Sequence, residues 1–196
     1  MLKISIMASS PSVNWQLRLA DEADIAALEL LIPASVRALQ ASYYSPVQRE
    51  IALECFIFGV DRQLIRDQTY FVVEHESWIV GCGGWSKRKS QSGGDRGRTT
   101  PDPEVDPNSD PARVRAFFVH PDWARRGIGR SILVASEKAI VAAGFSCAES
   151  VATLAGEPLY ASLGYQVIKR FEMPMAHGEN LPVVRMAKNL ERNSSR

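Results

Sequence analysis

The stretch from Val114 to Leu133, VRAFFVHPDWARRGIGRSIL, fixes what the rest of the chain must fold around. Val114 to Val119 has the β-branched and aromatic content of a buried strand. His120-Pro121 makes a sharp turn, after which Ile128, Ile132, Ala135, Ala139 and Ala143 recur at helical spacing, with Leu133 and Ile140 beside them. Strand, turn and helix therefore meet at Arg125, Arg126, Gly127, Ile128, Gly129, Arg130 and Ser131. The first turn of a helix leaves backbone N–H groups without intrahelical partners, and the aligned peptide dipoles put partial positive charge there. Gly127 and Gly129 carry no side chain that would hold an anion off that backbone, while Arg125, Arg126 and Arg130 add full charges around it. Such a turn expects a diphosphate. Two common phosphate loops are excluded, because the third glycine position of a dinucleotide fingerprint is Ile132 and no Gly-Lys-Ser/Thr closes a longer glycine interval.

Around this element the chain is long enough for one core. With 196 residues, 45% hydrophobic and 23% charged, a single domain over 13–190 is expected, with flexible ends at 1–12 and 191–196. The formal net charge of +1 gives no reason to expect nucleic acid or an anionic membrane as a partner. Cys55, Cys82 and Cys147 are odd in number and set in apolar stretches, as reduced thiols of a cytoplasmic protein would be. No metal-ligand spacing joins them to His75, His120 or His177, so no metal is expected. Met1 to Ser12 lacks the apolar run of a signal segment, and no later run reaches membrane-spanning length.

Periodicity places the remaining elements. Trp15 to Leu19 alternates as a half-buried strand, and Asp21-Glu22-Ala23-Asp24 supplies a cap and an acidic first turn for a helix carrying Ile25, Leu28, Ile32, Val36 and Leu39. Pro33 is expected to kink or split it. Ser45-Pro46 starts another helix, a short one fits Asp61 to Asp67, and Tyr70 to His75 with Trp78 to Trp85 read as a hairpin around Glu76-Ser77. From Lys87 to Ala112 no apolar period survives, which reads as a long mobile insertion or a flap beside the substrate. After the central helix, which Gly144 ends, come a strand at Cys147 to Val151, a short helix opened by Gly156-Glu157-Pro158, and strands at Tyr165 to Phe171 and Val183 to Leu190. Mixed strand and helix order of this kind argues an α/β fold on a mixed sheet.

The element order, with Phe118-Val119-His120-Pro121 and Ala124-Arg125-Arg126-Gly127-Ile128-Gly129, resembles the GNAT superfamily of acetyl-coenzyme A dependent N-acyltransferases. The resemblance is strongest from Ala112 to Leu190. Ala124 departs from it, standing where the family usually has Gln or Arg. The resemblance implies a GNAT-type mixed, largely antiparallel central sheet flanked by helices, with acetyl-coenzyme A as co-substrate. It places the acyl carrier along the backbone of Phe117, Phe118 and Val119, with its diphosphate on the 125–131 turn. An amide-rich pantetheine arm can extend a sheet edge, and a main-chain N–H at the thioester carbonyl stabilises the charge that develops there.

Leu159-Tyr160-Ala161-Ser162-Leu163-Gly164-Tyr165 is similar to the family's tyrosine element, which makes Tyr160 the expected proton donor to the leaving thiolate. Glu149, on the strand after the central helix, is a candidate base that takes the proton of the attacking amine, directly or through water, and His120 is the other. By resemblance the acceptor, a primary amine of a small molecule or peptide, lies near Tyr43, Tyr44, Trp85 and the 176–181 segment. The expected activity is N-acetyl transfer by a monomer or homodimer. The same fold can also serve as a catalytically silent acyl-coenzyme A sensor or interaction domain, and the same glycine turn can serve a nucleotide-binding regulator.

Overall fold

The computed structural model describes residues 14–89 and 100–190, so the expected flexible ends and the centre of the insertion lie outside the described residues. Its elements run β1 (Gln16–Leu19), α1 (Ile25–Leu39), α2 (Pro46–Glu54), α3 (Arg62–Arg66), β2 (Tyr70–His75), β3 (Trp78–Ser86), β4 (Ala112–Val119), α4 (Ile128–Ala142), β5 (Cys147–Thr153), α5 (Glu157–Ser162), β6 (Gln166–Pro174) and β7 (Asn180–Asn189). The strands form one seven-stranded sheet in the order β1-β2-β3-β4-β5-β7-β6. Every neighbouring pair is antiparallel except β4 and β5. The sheet is thus mixed, largely antiparallel and flanked by helices, as the resemblance implies.

Local chemistry explains the boundaries. Ser45 accepts from the Gln48 N–H while the Gln48 side chain accepts from the Ser45 N–H, a reciprocal cap that starts α2 at Pro46. Asp21 and Asp24 make the same exchange ahead of α1. Contrary to expectation, α1 runs through Pro33 as one helix. The bond that Pro33 cannot donate would have gone to Glu29, an exposed residue whose carbonyl can turn to water, so the loss does not break the helix.

The described flanks of the 87–112 insertion are tied down, which its composition did not announce. Lys89 donates to the Pro103 carbonyl and Val105 to that of Lys87, at 3.1 and 2.8 Å, while Arg88 grips Asp67 through Nε and Nη2 at 2.7 and 2.8 Å. Val105 is buried beside Trp85, a single apolar anchor that no periodicity can announce.

Two apolar layers cover the sheet. On one face α1 and α2 bring Leu28, Ile32, Val36 and Ala52 against Tyr70, Val72, Cys82 and Phe118. On the other, Leu133 and Ile140 of α4 pack with Val114, Ala148 and Met186, and Ile128 and Ile132 pack on Val73 and Val80. Full burial of each such side chain contributes about 1.5–3 kcal/mol. Gly81 of β3 lets α4 approach, since a Cβ there would stand 2.5 Å from Ile128 Cγ2. The start of α4 is thereby pressed against the sheet next to the end of β4.

Candidate active site

β4 and β5 pair only at Ala112 with Ala148 and Arg113 with Glu149. Beyond that apex they part, and the edge of β4 from Arg115 onwards opens into a cleft of about 210 Å³. A bulge shapes this edge: the β3–β4 register shifts between Cys82 and Gly84, and Ala116 takes φ 61°, its carbonyl accepting from the Tyr70 hydroxyl at 3.1 Å. His120 donates to the Val80 carbonyl at 2.9 Å, so strand alternation turns the Val119 N–H away from β3 and into the cleft, where it meets Ser35 Oγ at 3.2 Å. Phe117, two residues earlier, presents its backbone to the same side.

At one mouth of the cleft lies the glycine turn. Arg125 and Gly127 both have positive φ, 63° and 85°, and Gly127 has open space where a Cβ would stand. The first hydrogen bond across the start of α4 runs from Ser131 N–H to the Gly127 carbonyl at 2.9 Å, leaving the N–H groups of Ile128, Gly129 and Arg130 directed out of the helix end. Ile128 offers backbone alone, because its side chain is buried under β3. The Arg126 guanidinium lies 4.9 Å over the Trp123 ring, which in turn packs 4.5 Å from the His75 ring. A concave run of N–H donors flanked by exposed arginines fits a diphosphate.

Tyr160 of α5 lines the cleft between this turn and the β4 edge. It is 4% exposed, its ring is 6.0 Å from Phe117 and 5.4 Å from Tyr165, and its hydroxyl lies beside Ser150 of β5. Burial pushes the phenol up to about 12, the Ser150 side chain offsetting part of that rise, so it holds its proton throughout the neutral range.

Of the expected site residues, Phe117, Phe118, Val119, Gly129 and Tyr160 therefore share one cleft. Others are placed elsewhere. Glu149 is buried at the apex, bonded to Arg113 Nη1 and to Arg185 Nη2, the latter at 2.7 Å, and stands off the cleft wall. His120 accepts from the Asp122 N–H at 3.3 Å and shapes the proline turn outside the cleft lining.

Of the side chains expected near the acceptor, Tyr43, Tyr44 and Trp85 stand off the cleft lining. Tyr44 is buried, its hydroxyl donating to Pro182 O at 2.7 Å and accepting from Leu154 N–H at 2.8 Å, which ties the α1–α2 junction to the ends of β5 and β7. Tyr43 is exposed, and neither lines the cleft. Trp85 lies on the opposite face of the sheet, packed edge-on against Phe145 at 6.0 Å. Side chains that sequence reasoning missed, Ser35, Gln40, Arg115 and Ser150, line the cleft instead. Only the alternation of β4, carried through a bulge invisible in sequence, marks Arg115; Gln40 closes α1 and carries no signal at all.

The family model described as an acetyltransferase (GNAT) domain matches residues 66–167. The chain belongs to the GNAT acetyltransferase family. No sequence among the curated proteins matches it. Solved GNAT structures share its fold: the GCN5-related N-acetyltransferase from Rhodopseudomonas palustris superposes with TM-score 0.66 at 22% identity, covering 89% of this chain and 95% of that one. PaiA N-acetyltransferase from Thermoplasma acidophilum, in complex with coenzyme A, gives 0.62 at 14% identity over 90% and 99%. YncA from Salmonella typhimurium, with acetyl-CoA, gives 0.60 at 18% identity over 93% and 98%. Among the described residues of this GNAT acetyltransferase, no group of His, Cys, Asp and Glu is placed to hold a metal ion, and no helix is long and apolar enough to cross a membrane.

Proposed function

We propose that this acetyltransferase takes its acetyl group from acetyl-coenzyme A and passes it to a primary amine by direct attack, with both substrates bound together. One observation carries the reading: a single cleft joins the glycine turn at Gly129, the open β4 edge at Phe117–Val119 and the Tyr160 side chain, and continues to the far face of the sheet between α1 and β7. The donor enters from the turn and the amine from the other side. The bound coenzymes named for the Thermoplasma and Salmonella structures support the choice of donor.

The diphosphate rests on the N–H groups that open α4, with Arg125, Arg126 and Arg130 around it and Ser131 in the first turn. The pantetheine amides pair with the open backbone of Phe117 and Val119, an amide carbonyl replacing Ser35 Oγ as partner of the Val119 N–H. The Phe117 N–H meets the thioester oxygen and holds the charge it gains. The amine nitrogen forms its bond to the carbonyl carbon and releases one proton to water, the carbon–sulfur bond breaks, and Tyr160 gives its proton to the departing sulfur before recovering one from solvent. A phenol held protonated by burial suits that order of events.

Calorimetric titration with acetyl-coenzyme A, followed by thiol detection with a panel of amines, tests the reading. Saturable binding and amine-dependent thiol release are expected. Binding without turnover on any amine would favour the silent sensor, and no binding would overturn the donor itself.

A further inference from the structure

The acceptor half of the cleft has a definite chemistry. Leu39, Ile57, Phe58, Met173, Leu181 and Val183 make its walls apolar. Among the described lining residues the one ionised group is the Arg115 guanidinium, which is 9% exposed. Its Nε is 2.8 Å from Oδ2 of Asp61, a carboxylate that is itself 1% exposed and stands behind Arg115, off the cleft wall. Arg113 and Arg185 both bond Glu149 at the apex. The Arg115–Asp61 pair carries no net charge, and no carboxylate stands on the described wall to hold an entering ammonium, which would lose its water in a setting of low dielectric. Tyr160 holds its proton for the leaving group, and neither a carboxylate nor an imidazole stands among the described lining residues.

Gln40 adds a second requirement. It is 6% exposed, lines the same half of the cleft, and its Oε1 is buried without a hydrogen-bond partner. Its backbone is held rigidly, the N–H donating to Val36 O at 3.2 Å and the carbonyl accepting from the N–H groups of Tyr43 and Tyr44 at 3.0 and 3.1 Å. A buried amide oxygen with no partner of its own calls for a donor on the ligand.

We infer that the acceptor is a weakly basic α-amino group carried by an apolar residue with a neighbouring amide, as in an amino-acid amide or a peptide N-terminus, and not the strongly basic amine of a polyamine or lysine side chain. The inference rests on the acetyl-transfer reading above and narrows its acceptor. An apolar cleft with no carboxylate on its described wall disfavours ammonium and receives the amine already unprotonated. With ordinary values of about 7.7–8.0 for an α-amino group and about 10.4 for a lysine-type amine, the free-base fractions at pH 7.5 differ by roughly 200-fold. The apolar walls then take the side chain, and the adjacent amide N–H donates to Gln40 Oε1. In the step itself the nitrogen gains its carbon bond and releases one proton to water, while sulfur gains the proton of Tyr160.

The test measures thiol release by the full chain with L-leucinamide, isoamylamine and spermidine, at pH 7.5 and 9.5, alongside calorimetric affinity for acetyl-coenzyme A. Leucinamide should exceed isoamylamine in kcat/KM by about 100-fold or more at pH 7.5, and the gap should shrink by about 10-fold or more at pH 9.5 as the alkylamine gains free base. Gln40→Leu should cost leucinamide about 10-fold in kcat/KM and narrow its advantage over isoamylamine by a similar factor, with coenzyme affinity within a factor of two. Spermidine or isoamylamine accepted as well as leucinamide at pH 7.5, a gap that ignores pH, or refusal of all three by a protein that binds acetyl-coenzyme A, would each overturn the acceptor inference while leaving the donor reading intact. Failure to bind acetyl-coenzyme A would instead defeat that reading, and the acceptor inference with it.

Discussion

Tyr160 shows how one side chain is prepared for one task. Packed between Phe117 and Tyr165 it is nearly free of solvent, and burial, partly offset by Ser150, raises its phenol to about 12, so the proton is held throughout the neutral range. Tyr160→Phe removes the hydroxyl and little volume. We expect kcat to fall by about 100-fold or more, the usual range for a lost general acid, with acetyl-coenzyme A affinity within a factor of two by calorimetry. Unchanged kcat would remove the tyrosine from the chemistry. This residue was legible because its neighbours, Leu163, Gly164 and Tyr165, gave it a context; Gln40 was not, because a glutamine closing a helix looks the same whether its amide faces water or a cleft.

At the scale of elements, the cleft exists because two parallel strands are joined for two residue pairs and then released. Glu149 reaches across that apex to Arg113 on β4 and lies against Arg185 on β7, so one carboxylate binds three strands at the point from which the opening begins. Glu149→Gln leaves both guanidiniums without their counter-charge, and removing one partner of a buried ion pair typically costs about 3–5 kcal/mol. We expect the free energy of unfolding to fall toward the lower end of that range, since the Arg185 side chain is 40% exposed, with kcat/KM per folded molecule keeping its pH profile. Loss of the acidic limb of that profile would return Glu149 to the role of base. In sequence the strand, the turn and the helix of this region are plain, since the periodicity changes and the glycines stand in view. Whether Glu149 faces the cleft is hidden, because it depends on the bulge at Ala116 and on the register of a parallel pair, neither of which leaves a local mark.

For the molecule as a whole, the apolar layers and the site draw on the same aromatic residues, and this ties stability to alkaline pH. Burial raises the phenols of Tyr44 and Tyr160 to about 12 and those of Tyr70 and Tyr165 as well. Once unfolded, each would release its proton near the ordinary value of about 10. Between those limits the folded chain binds more protons than the unfolded one, so the free energy of unfolding falls as pH rises, by about 1.4 kcal/mol per pH unit for each tyrosine that still holds its proton. The contribution is fully present below pH 10 and is lost on the way to 12. Tyrosinate absorbance and far-ultraviolet circular dichroism, followed together through this range, should therefore change in one step for the buried phenols. Phenolate from more than one ring per chain near pH 10, ahead of any loss of secondary structure, would mean that water reaches the buried rings in the folded state, since only Tyr43 of the five is exposed.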